Sequence, residues 1–448
     1  MNFVKYILDL GPTVMLPLII FLFGVCLGLK PGRAFSTSIK IGIGFIGIGL
    51  VVGLMQKSIG PAAQAMTENF NLNLDVIDLG WPGTSPLTWA SSIALTAIPL
   101  AVGINLVMIF TKMTRVINVD IWNIWHMTFT GAIAYVATDN YFVGLLGVAV
   151  HAIIAYKLGD WFSYDAEDYF GLEGIAVPHG TSAYCGPFAV LVDMIIDRIP
   201  GLNKIHFTSE DLEKKFGVFG QPVVTGLILG ILIGVLADYD LKRIFQLGVE
   251  VASVMYLMPK VVKPIMEGLL PLSEIAKQKL TSKFKGQGFL IGLDPALLLG
   301  EPSVVSASLI FIPLTLLIAL IVPGNRVLPF GDLATIGFFV AMGVGVHRGN
   351  LFRTIISGSV IMYITIWISN RTIDFHTILA KNAGAANAAN IGSLDQGGSP
   401  ITYLFTSIFD RDLISANTVG FVVILVIYIF GLFVTRQRYI RLKNEINQ

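Results

Sequence analysis

Long apolar runs separated by short polar links dominate the chain. The first run covers 11–29, and the others lie at 39–55, 90–110, 121–138, 142–158, 223–237, 245–259, 303–322, 333–346, 351–368 and 419–435. A straight bilayer span needs about 20 apolar residues, and shorter runs cross when the helix tilts or the bilayer thins. The pattern predicts an all-α polytopic membrane protein with about eleven transmembrane helices.

The composition supports this class and excludes several others. Hydrophobic residues make up 54% of the 448 residues and charged residues 13%, about half the charged share of a soluble domain. The net charge of +1 lacks the basic excess of a nucleic-acid-binding protein. Two cysteines are too few for a zinc site, and no P-loop motif is present. We therefore expect no metal, no cofactor and no nucleic-acid partner.

Basic residues predict the orientation in the membrane. The last apolar run is followed by Arg436, Arg438, Arg441 and Lys443, so we expect the C-terminus in the cytoplasm. An odd number of spans then places the N-terminus outside. Most loop lysines and arginines fall on the inside in this arrangement, whereas the loop at 57–83 falls outside and carries the acidic residues Glu68, Asp75 and Asp78.

An internal repeat divides the chain. With an offset of about 210 residues, the early string GPTVMLPLIIFLFGVCLGLKPGRAF resembles GQPVVTGLILGILIGVLADYDLKRIF. We expect repeat 1 at 1–202, an amphipathic cytoplasmic linker at 203–220, repeat 2 at 221–410, and a last span with a basic cytoplasmic tail at 411–448. Each repeat holds five spans, so the second enters from the opposite side. This predicts an inverted-topology repeat, which is common in secondary transporters.

Each repeat ends in a polar stretch of small residues, at about 171–192 and 375–409. Neither has the pattern of a straight spanning helix, and irregular backbone at membrane depth is tolerated where it is buried in protein or lines a polar cavity. We predict two re-entrant hairpins that enter from opposite sides and frame a binding site near the midplane. The alternative is that both stretches are surface loops.

Polar residues within or beside the apolar runs are candidates for substrate binding, because burying them in a bilayer is costly. These candidates are Thr84, Ser85, His126, Asp139, His179, Asp294, Glu301, Asp395 and Gln396. Their carboxylates, amides, hydroxyls and imidazoles suit the hydroxyl groups of a sugar or polyol, and Trp81 or Trp122 offers a stacking face. An interhelical hydrogen bond remains the alternative for His126, and a simple loop position for Asp139. We expect no catalytic residue.

Three stretches resemble the membrane component, enzyme IIC, of galactitol-type phosphotransferase systems. They are LGPTVMLPLIIFLFGVCLGLKPGRAFSTSIKIGIGFIGIGLVVGLM, the stretch 171–186 around Pro-His-Gly, and DPALLLGEPSVVSAS at 294–308. The resemblance runs almost end to end, and it extends in architecture to ascorbate-type IIC proteins. It implies a homodimer in the lipid of the bacterial inner membrane. It also implies that each subunit has inverted five-span repeats and two hairpins.

The resemblance also implies a mechanism. A IIC protein binds a polyol, most simply galactitol, and carries it inward by an elevator motion. A separate cytoplasmic IIB protein donates phosphate from a phosphocysteine, and a IIA protein recharges IIB. The chain would then be a transport subunit without enzymatic activity of its own. The rival hypothesis is an ion- or proton-coupled secondary transporter in which Glu301 or Asp294 carries the proton. An intramembrane enzyme would need an acid–base pair or a metal motif, and the sequence offers neither.

Overall fold

The computed structural model describes residues 12–69, 76–216, 222–283, 288–329, 331–383 and 390–446. Helices account for most of this part of the chain, as the apolar runs predict. In chain order the elements are α1 (Pro12–Leu27), α2 (Pro31–Asn69), β1 (Val76–Asp78), α3 (Gly80–Trp89), α4 (Ala94–Phe110), β2 (Val116–Asn118), α5 (Ile121–Thr138), α6 (Tyr141–Trp161), α7 (Ser163–Asp168), β3 (Ile175–Ala176), α8 (Ser182–Arg198), α9 (Ser209–Phe216), α10 (Pro222–Leu236), α11 (Leu241–Lys283), β4 (Leu290–Gly292), α12 (Pro302–Ile321), β5 (Val327–Leu328), α13 (Gly337–Val346), α14 (Leu351–Ser369), α15 (Ile373–Asn382), β6 (Ile391–Gly392), α16 (Pro400–Phe409), α17 (Arg411–Ala416) and α18 (Thr418–Ile446).

Helices long and apolar enough to cross a membrane confirm a helical membrane protein. Among the described residues, these are 141–161, 302–321, 351–369 and 418–445. A fifth candidate is the bent pair formed by 83–89 and 94–110, whose axes differ by 91°. The other predicted spans coincide with shorter helices or lie within longer ones. The total of about eleven spans therefore stays a prediction.

Two very long helices pack against each other. Helix α2 has 39 residues and α11 has 43, which at 1.5 Å per residue gives lengths of about 60 Å. The sequence predicts only their apolar centres as spans, at 39–55 and 245–259, because their ends are polar. Helices α1 and α10 pack against α2 and α11, respectively.

Two small parallel sheets were not predicted, because strands of two or three residues leave no readable alternation. Their strand orders are β5-β1-β6 and β2-β4-β3. In the first sheet Val76 pairs with Val327 and Ile77 with Ile391. In the second, Ile291 pairs with both Ile117 and Ile175. Each sheet takes its central strand from one predicted half of the chain and its two edge strands from the other.

The parallel strands bring distant residues together. Because the carboxyl ends of parallel strands meet at one edge of a sheet, the residues that follow them become neighbours. At the second sheet the backbone N–H of Asp294 donates to Asp120 Oδ2 over 3.1 Å. At the first sheet the N–H of Asp332 donates to Asp78 Oδ2 over 2.9 Å. Both contacts join the two predicted halves of the chain.

The two predicted hairpin regions contain broken helices. The region at 171–192 contains β3, a turn and the first part of α8. The region at 375–409 contains most of α15, then β6 and α16, and its residues 384–389 lie outside the described part of the chain. Helix α8 packs against α13, α14 and α18, whereas α16 packs against α5. The turns after β3 and β6 thereby meet beside α5.

Helix α9, within the predicted linker, begins with a pair of reciprocal hydrogen bonds. Thr208 and Asp211 have the spacing of a capping box, in which each side chain accepts the other residue's backbone N–H. The Thr208 N–H donates to Asp211 Oδ2 over 2.9 Å, and the Asp211 N–H donates to Thr208 Oγ1 over 3.1 Å. The end of the predicted linker, 217–220, lies outside the described residues.

Candidate substrate site between the hairpin turns

The centre of the site is a contact between the two turns and α5. Thr181 follows the turn after β3, and its hydroxyl donates to Asp395 Oδ1 in the turn after β6. The same hydroxyl lies 3.3 Å from His126 Nε2 on α5, and Asp395 Oδ2 lies 3.5 Å from that nitrogen. Gln396 Nε2 donates to Asp395 Oδ1 over 3.1 Å. Side chains from both predicted halves therefore form one hydrogen-bonded group, and all four are buried.

His179 extends this group toward the second sheet. Its Nδ1 accepts a hydrogen bond from the backbone N–H of Thr181 over 3.2 Å, so in the neutral ring Nε2 carries the proton. That Nε2 lies 3.6 Å from Asp294 Oδ2. The rings of His126 and His179 meet edge to face with centroids 4.0 Å apart, and Phe338 stacks on His179 at 5.9 Å.

A close approach of the backbone makes these contacts possible. Gly180 forms the turn between His179 and Thr181, and a Cβ atom there would lie 2.5 Å from His126 Cβ and 3.0 Å from His151 Nε2. Only glycine allows the turn to lie this close to α5. The Pro-His-Gly string is thus explained by the packing of the turn as well as by its polar side chains.

His151 on α6 is missing from the candidates above, although it lies within the apolar run at 142–158 just as His126 lies within the run at 121–138. Its Nδ1 is 2.6 Å from the hydroxyl of Thr130, which in turn is 2.8 Å from the hydroxyl of Thr402 on α16. Its Nε2 faces Gly180 and has no hydrogen-bond partner in the described part of the chain.

Several other buried polar atoms at or near the group also lack a partner among the residues that the structure describes. They are Thr84 Oγ1, Asn123 Oδ1, Trp125 Nε1, His126 Nδ1 and Gln396 Oε1. Buried polar groups are normally hydrogen-bonded, and an unpaired one costs about 1–3 kcal/mol. The unpaired set includes both donors and acceptors. Hydroxyl groups, which donate and accept, are the ligands that suit such a mixture.

A row of aromatic rings leads to the group from α3. Trp81 meets Trp122 edge to face at 5.1 Å, Trp122 meets Trp125 at 5.9 Å, and Trp125 lies 4.5 Å from the His126 ring. The two residues proposed from the sequence for stacking are therefore adjacent, and both are half-buried. Large apolar faces beside a few placed polar groups are typical of small-molecule sites.

The remaining candidates from the sequence lie outside this hydrogen-bonded group. Thr84 and Ser85 are buried on α3, which packs against α5, and they follow Trp81 by about one helical turn. Asp139 ends α5 with an exposed side chain, 13 residues after His126 and so about 20 Å along the axis. Glu301 caps α12, where its Oε2 accepts the N–H of Val304 over 2.8 Å. The structure brings neither Asp139 nor Glu301 into contact with the group.

Carboxylates behind the group were missed as site residues. The charge pattern places Asp78 in an outer loop and singles out neither Asp120 nor Asp332, because a charge in a short link does not indicate depth in the membrane. The structure buries all three at the edges of the two sheets. The repeat contains a usable signal, since its offset of about 210 residues carries Asp120 to the vicinity of Asp332.

The composition of the whole group favours an uncharged ligand over an anion. Three imidazoles, two carboxylates, one amide and several hydroxyls meet there, with no lysine or arginine among the contacts described. No cluster of His, Cys, Asp and Glu in the described ranges has the geometry to hold a metal ion. The arrangement can hydrogen-bond several hydroxyl groups at once.

Comparison with known proteins identifies the family. The profile of the EIIC-GAT family, described as the PTS system sugar-specific permease component, matches residues 6–390. The PTS system galactitol-specific EIIC components of Escherichia coli K12 and O157:H7 are each 62% identical over 435 residues, covering 97% of this chain and 96% of the relative. A putative permease IIC component of E. coli K12 is 36% identical over 395 residues, covering 88% and 90%. The chain therefore belongs to the EIIC-GAT family of sugar-specific permease components of the phosphotransferase system.

Proposed function

We propose that the chain binds galactitol between the two hairpin turns and carries it into the cell as the IIC subunit of a phosphotransferase system. Family membership makes it a multi-pass protein of the bacterial inner membrane and a transport subunit. The observation that carries the substrate proposal is the buried group of His126, His179, Asp294, Asp395 and Gln396, together with the printed specificity of the 62% identical relatives. A neutral polyol matches its donors and acceptors.

The two turns and α5 form the core of the proposed site. His126, His179, Asp294, Asp395 and Gln396 contact the ligand, and the unpaired nitrogen of His151 lies close behind Gly180. Thr84 and Ser85 on α3 line one side, and Trp81 or Trp122 offers an apolar face for the C–H groups of the polyol. Asp139 and Glu301 are not included, because one is exposed and the other caps a helix.

Phosphorylation supplies the direction of transport. A separate IIB protein transfers phosphate from its phosphocysteine to the polyol on the cytoplasmic side, and a IIA protein recharges IIB. A charged phosphate ester does not recross the apolar bilayer, so the product is trapped inside. Buried Cys185 and exposed Cys26 have no role in this transfer. In the elevator motion, the hairpins and the helices around α5 move against α1, α2, α10 and α11.

An inverted repeat with five spans in each half and about eleven spans in all is part of the proposal. The reciprocal strand exchange supports it, because β1 lies between β5 and β6 in one sheet while β4 lies between β2 and β3 in the other. Two units related by a pseudo-two-fold axis give this arrangement. The N-terminus then lies outside and the C-terminus in the cytoplasm. A reporter enzyme active only in the periplasm should be inactive when fused after 448, and activity there would refute the orientation.

We further propose a homodimer surrounded by lipid. Helix α18 supports this, because only 22% of its apolar part is buried within one chain. Val422, Val426 and Phe433 are exposed along the helix. Such a face needs lipid or a second copy to cover it. Mass measurement in lipid nanodiscs distinguishes a dimer from a monomer.

Uptake into right-side-out vesicles tests whether transport is coupled to phosphorylation. With purified IIA, IIB and a phosphate donor inside right-side-out vesicles, we expect uptake of galactitol and its recovery as the phosphate ester. The histidine–aspartate contacts also suit a proton relay, so a proton-coupled transporter is the second candidate. That candidate predicts accumulation of unmodified galactitol driven by a pH gradient without IIB. This result would overturn the phosphotransferase coupling.

A further inference from the structure

Four buried aspartates form two pairs at the proposed substrate site, and each pair joins the two predicted halves of the chain. Asp78 and Asp332 meet beside the first sheet, and Asp120 and Asp294 meet beside the second. Their exposed fractions lie between 0 and 6%. Burying a carboxyl group at such depth is costly unless it is hydrogen-bonded. The hydrogen-bond partners of each aspartate therefore show which parts of the chain it holds in place.

Asp332 holds the turn that carries Asp395. Its Oδ2 accepts the backbone N–H of Asp395 over 2.8 Å and the hydroxyl of Ser393 over 3.2 Å. Its Oδ1 accepts the N–H of Trp81 over 3.1 Å, at the start of α3. One carboxylate therefore fixes both the hydrogen-bonding turn and the helix that carries the aromatic face of the site.

Asp78, from the other predicted half of the chain, binds the same turn and also binds Asp332. Its Oδ1 accepts the N–H of Leu394 over 3.2 Å, and its Oδ2 accepts the N–H of Asp332 over 2.9 Å. Consecutive backbone N–H groups of the turn, those of Leu394 and Asp395, are thus each bound by a different carboxylate. With both N–H groups bound, the turn has little freedom to rotate the Asp395 side chain.

The second sheet repeats the arrangement around Asp294. Asp120 Oδ1 accepts the N–H of Trp122 over 2.8 Å, while its Oδ2 accepts the N–H of Asp294. The Asp294 side chain uses Oδ1 for the N–H of Ala296, which leaves Oδ2 facing His179. An aspartate on each sheet therefore binds the backbone of a site aspartate and, with its other oxygen, the first turn of a helix that carries a tryptophan.

We propose that Asp332 and Asp120 are positioning residues that orient the substrate-binding carboxylates of Asp395 and Asp294, with Asp78 as a second support on the first sheet. The inference rests on the proposed binding of galactitol. Asp332 and Asp120 do not touch the substrate. They satisfy the buried backbone N–H of each site aspartate and thereby set the direction of its side chain. Asp120 does so from across the repeat boundary, whereas Asp332 lies in the same predicted repeat as Asp395.

A double-mutant cycle on galactitol affinity tests the proposal, because coupled residues show non-additive effects. The purified full chain is titrated calorimetrically with galactitol. Asp395→Asn and Asp332→Asn should each weaken binding by about 10-fold or more, the range for leaving a buried polar group without its hydrogen-bond partner. If Asp332 acts through Asp395, the double variant should bind within about 3-fold of Asp395→Asn alone. Independent effects would multiply to about 100-fold and overturn the proposal.

Matched variants separate positioning from folding. Asp410 also caps a helix by accepting a backbone N–H, from Asp412 over 2.9 Å, but lies outside the site, so Asp410→Asn should bind as the wild type does. Should Asp332→Asn fail to fold, Ser393→Ala removes one donor to Asp332 and should weaken binding about 2- to 5-fold, with non-additivity toward Asp395→Asn. Wild-type affinity in a folded Asp332→Asn or Ser393→Ala variant refutes positioning. Absence of binding by the wild-type chain instead refutes the proposed function.

Discussion

The Gly180→Ala substitution tests whether close contact between the turn and α5 creates the site. The added Cβ would lie 2.5 Å from His126 Cβ and 2.7 Å from His126 Cγ, whereas carbon atoms in contact prefer about 3.5–4.0 Å. His126 Cβ is attached directly to the helix backbone and cannot swing aside. The turn therefore has to withdraw by about 1 Å, which separates Thr181 from His126.

The size of the effect follows from the packing strain. Overpacking of a tight interior costs about 1–3 kcal/mol, and a penalty of that size in the bound state weakens binding about 5- to 150-fold. The assay is calorimetric titration of purified Gly180→Ala with galactitol, supported by uptake in vesicles. Gly103→Ala is the matched control, because no atom lies within 4 Å of a Cβ at that helical position. Wild-type affinity in folded Gly180→Ala would refute the reasoning.

Three further predictions concern other parts of the chain. Arg438→Ala should lower stability by about 3–5 kcal/mol in thermal denaturation, because the ion pair of 2.6 Å with fully buried Asp165 is lost. Glu301→Gln should keep uptake and melting temperature near wild type, since its amide oxygen still caps α12, whereas Glu301→Ala should lose about 1 kcal/mol. The pKa of Asp211 is lowered, chiefly by the backbone N–H of Thr208, so its cap on α9 is present above the unfolded pKa of about 3.9 and is lost as pH falls through the folded pKa. The protection of α9 amides against hydrogen exchange, taken relative to the intrinsic exchange rate at each pH, should fall there.

Each of these has an outcome that contradicts it. An unchanged melting temperature in Arg438→Ala would contradict the first prediction and show that water or another residue hydrogen-bonds Asp165. Loss of uptake in a stable Glu301→Gln variant would return Glu301 to the substrate site. Protection of the α9 amides that stays constant between pH 5 and 2, relative to the intrinsic exchange rate, would remove the capping carboxylate from the account of that helix.

The sequence predicts the helices well because their apolar runs are long. The re-entrant hairpins at 171–192 and 375–409 stay a prediction, which rests on polar stretches where a sixth span would stand. The sequence also selects His126, His179, Asp294 and Asp395, which the structure brings together. These residues share one property that a sequence displays, a titratable side chain beside a break in an apolar pattern.

The features that the sequence does not reveal depend on tertiary contacts. A strand as short as Ile175–Ala176 forms only because it pairs with β4 from the other predicted half of the chain. Asp332 lies in a short polar link that the sequence places in an outer loop, yet it is buried beside the β5-β1-β6 sheet. Asp139 and Glu301 attract attention for the same reason as His126, but helix ends explain both of them. A break in an apolar run thus indicates either a site or a cap, and the packing decides which.

Calorimetric titration of the purified wild-type chain and of Asp395→Asn with galactitol tests the central claim most directly. The proposed site predicts saturable binding by the wild type and an affinity at least about 10-fold lower in the variant, with an unchanged melting temperature in the absence of ligand. Equal affinities in the two proteins would contradict the placement of the polyol between the hairpin turns.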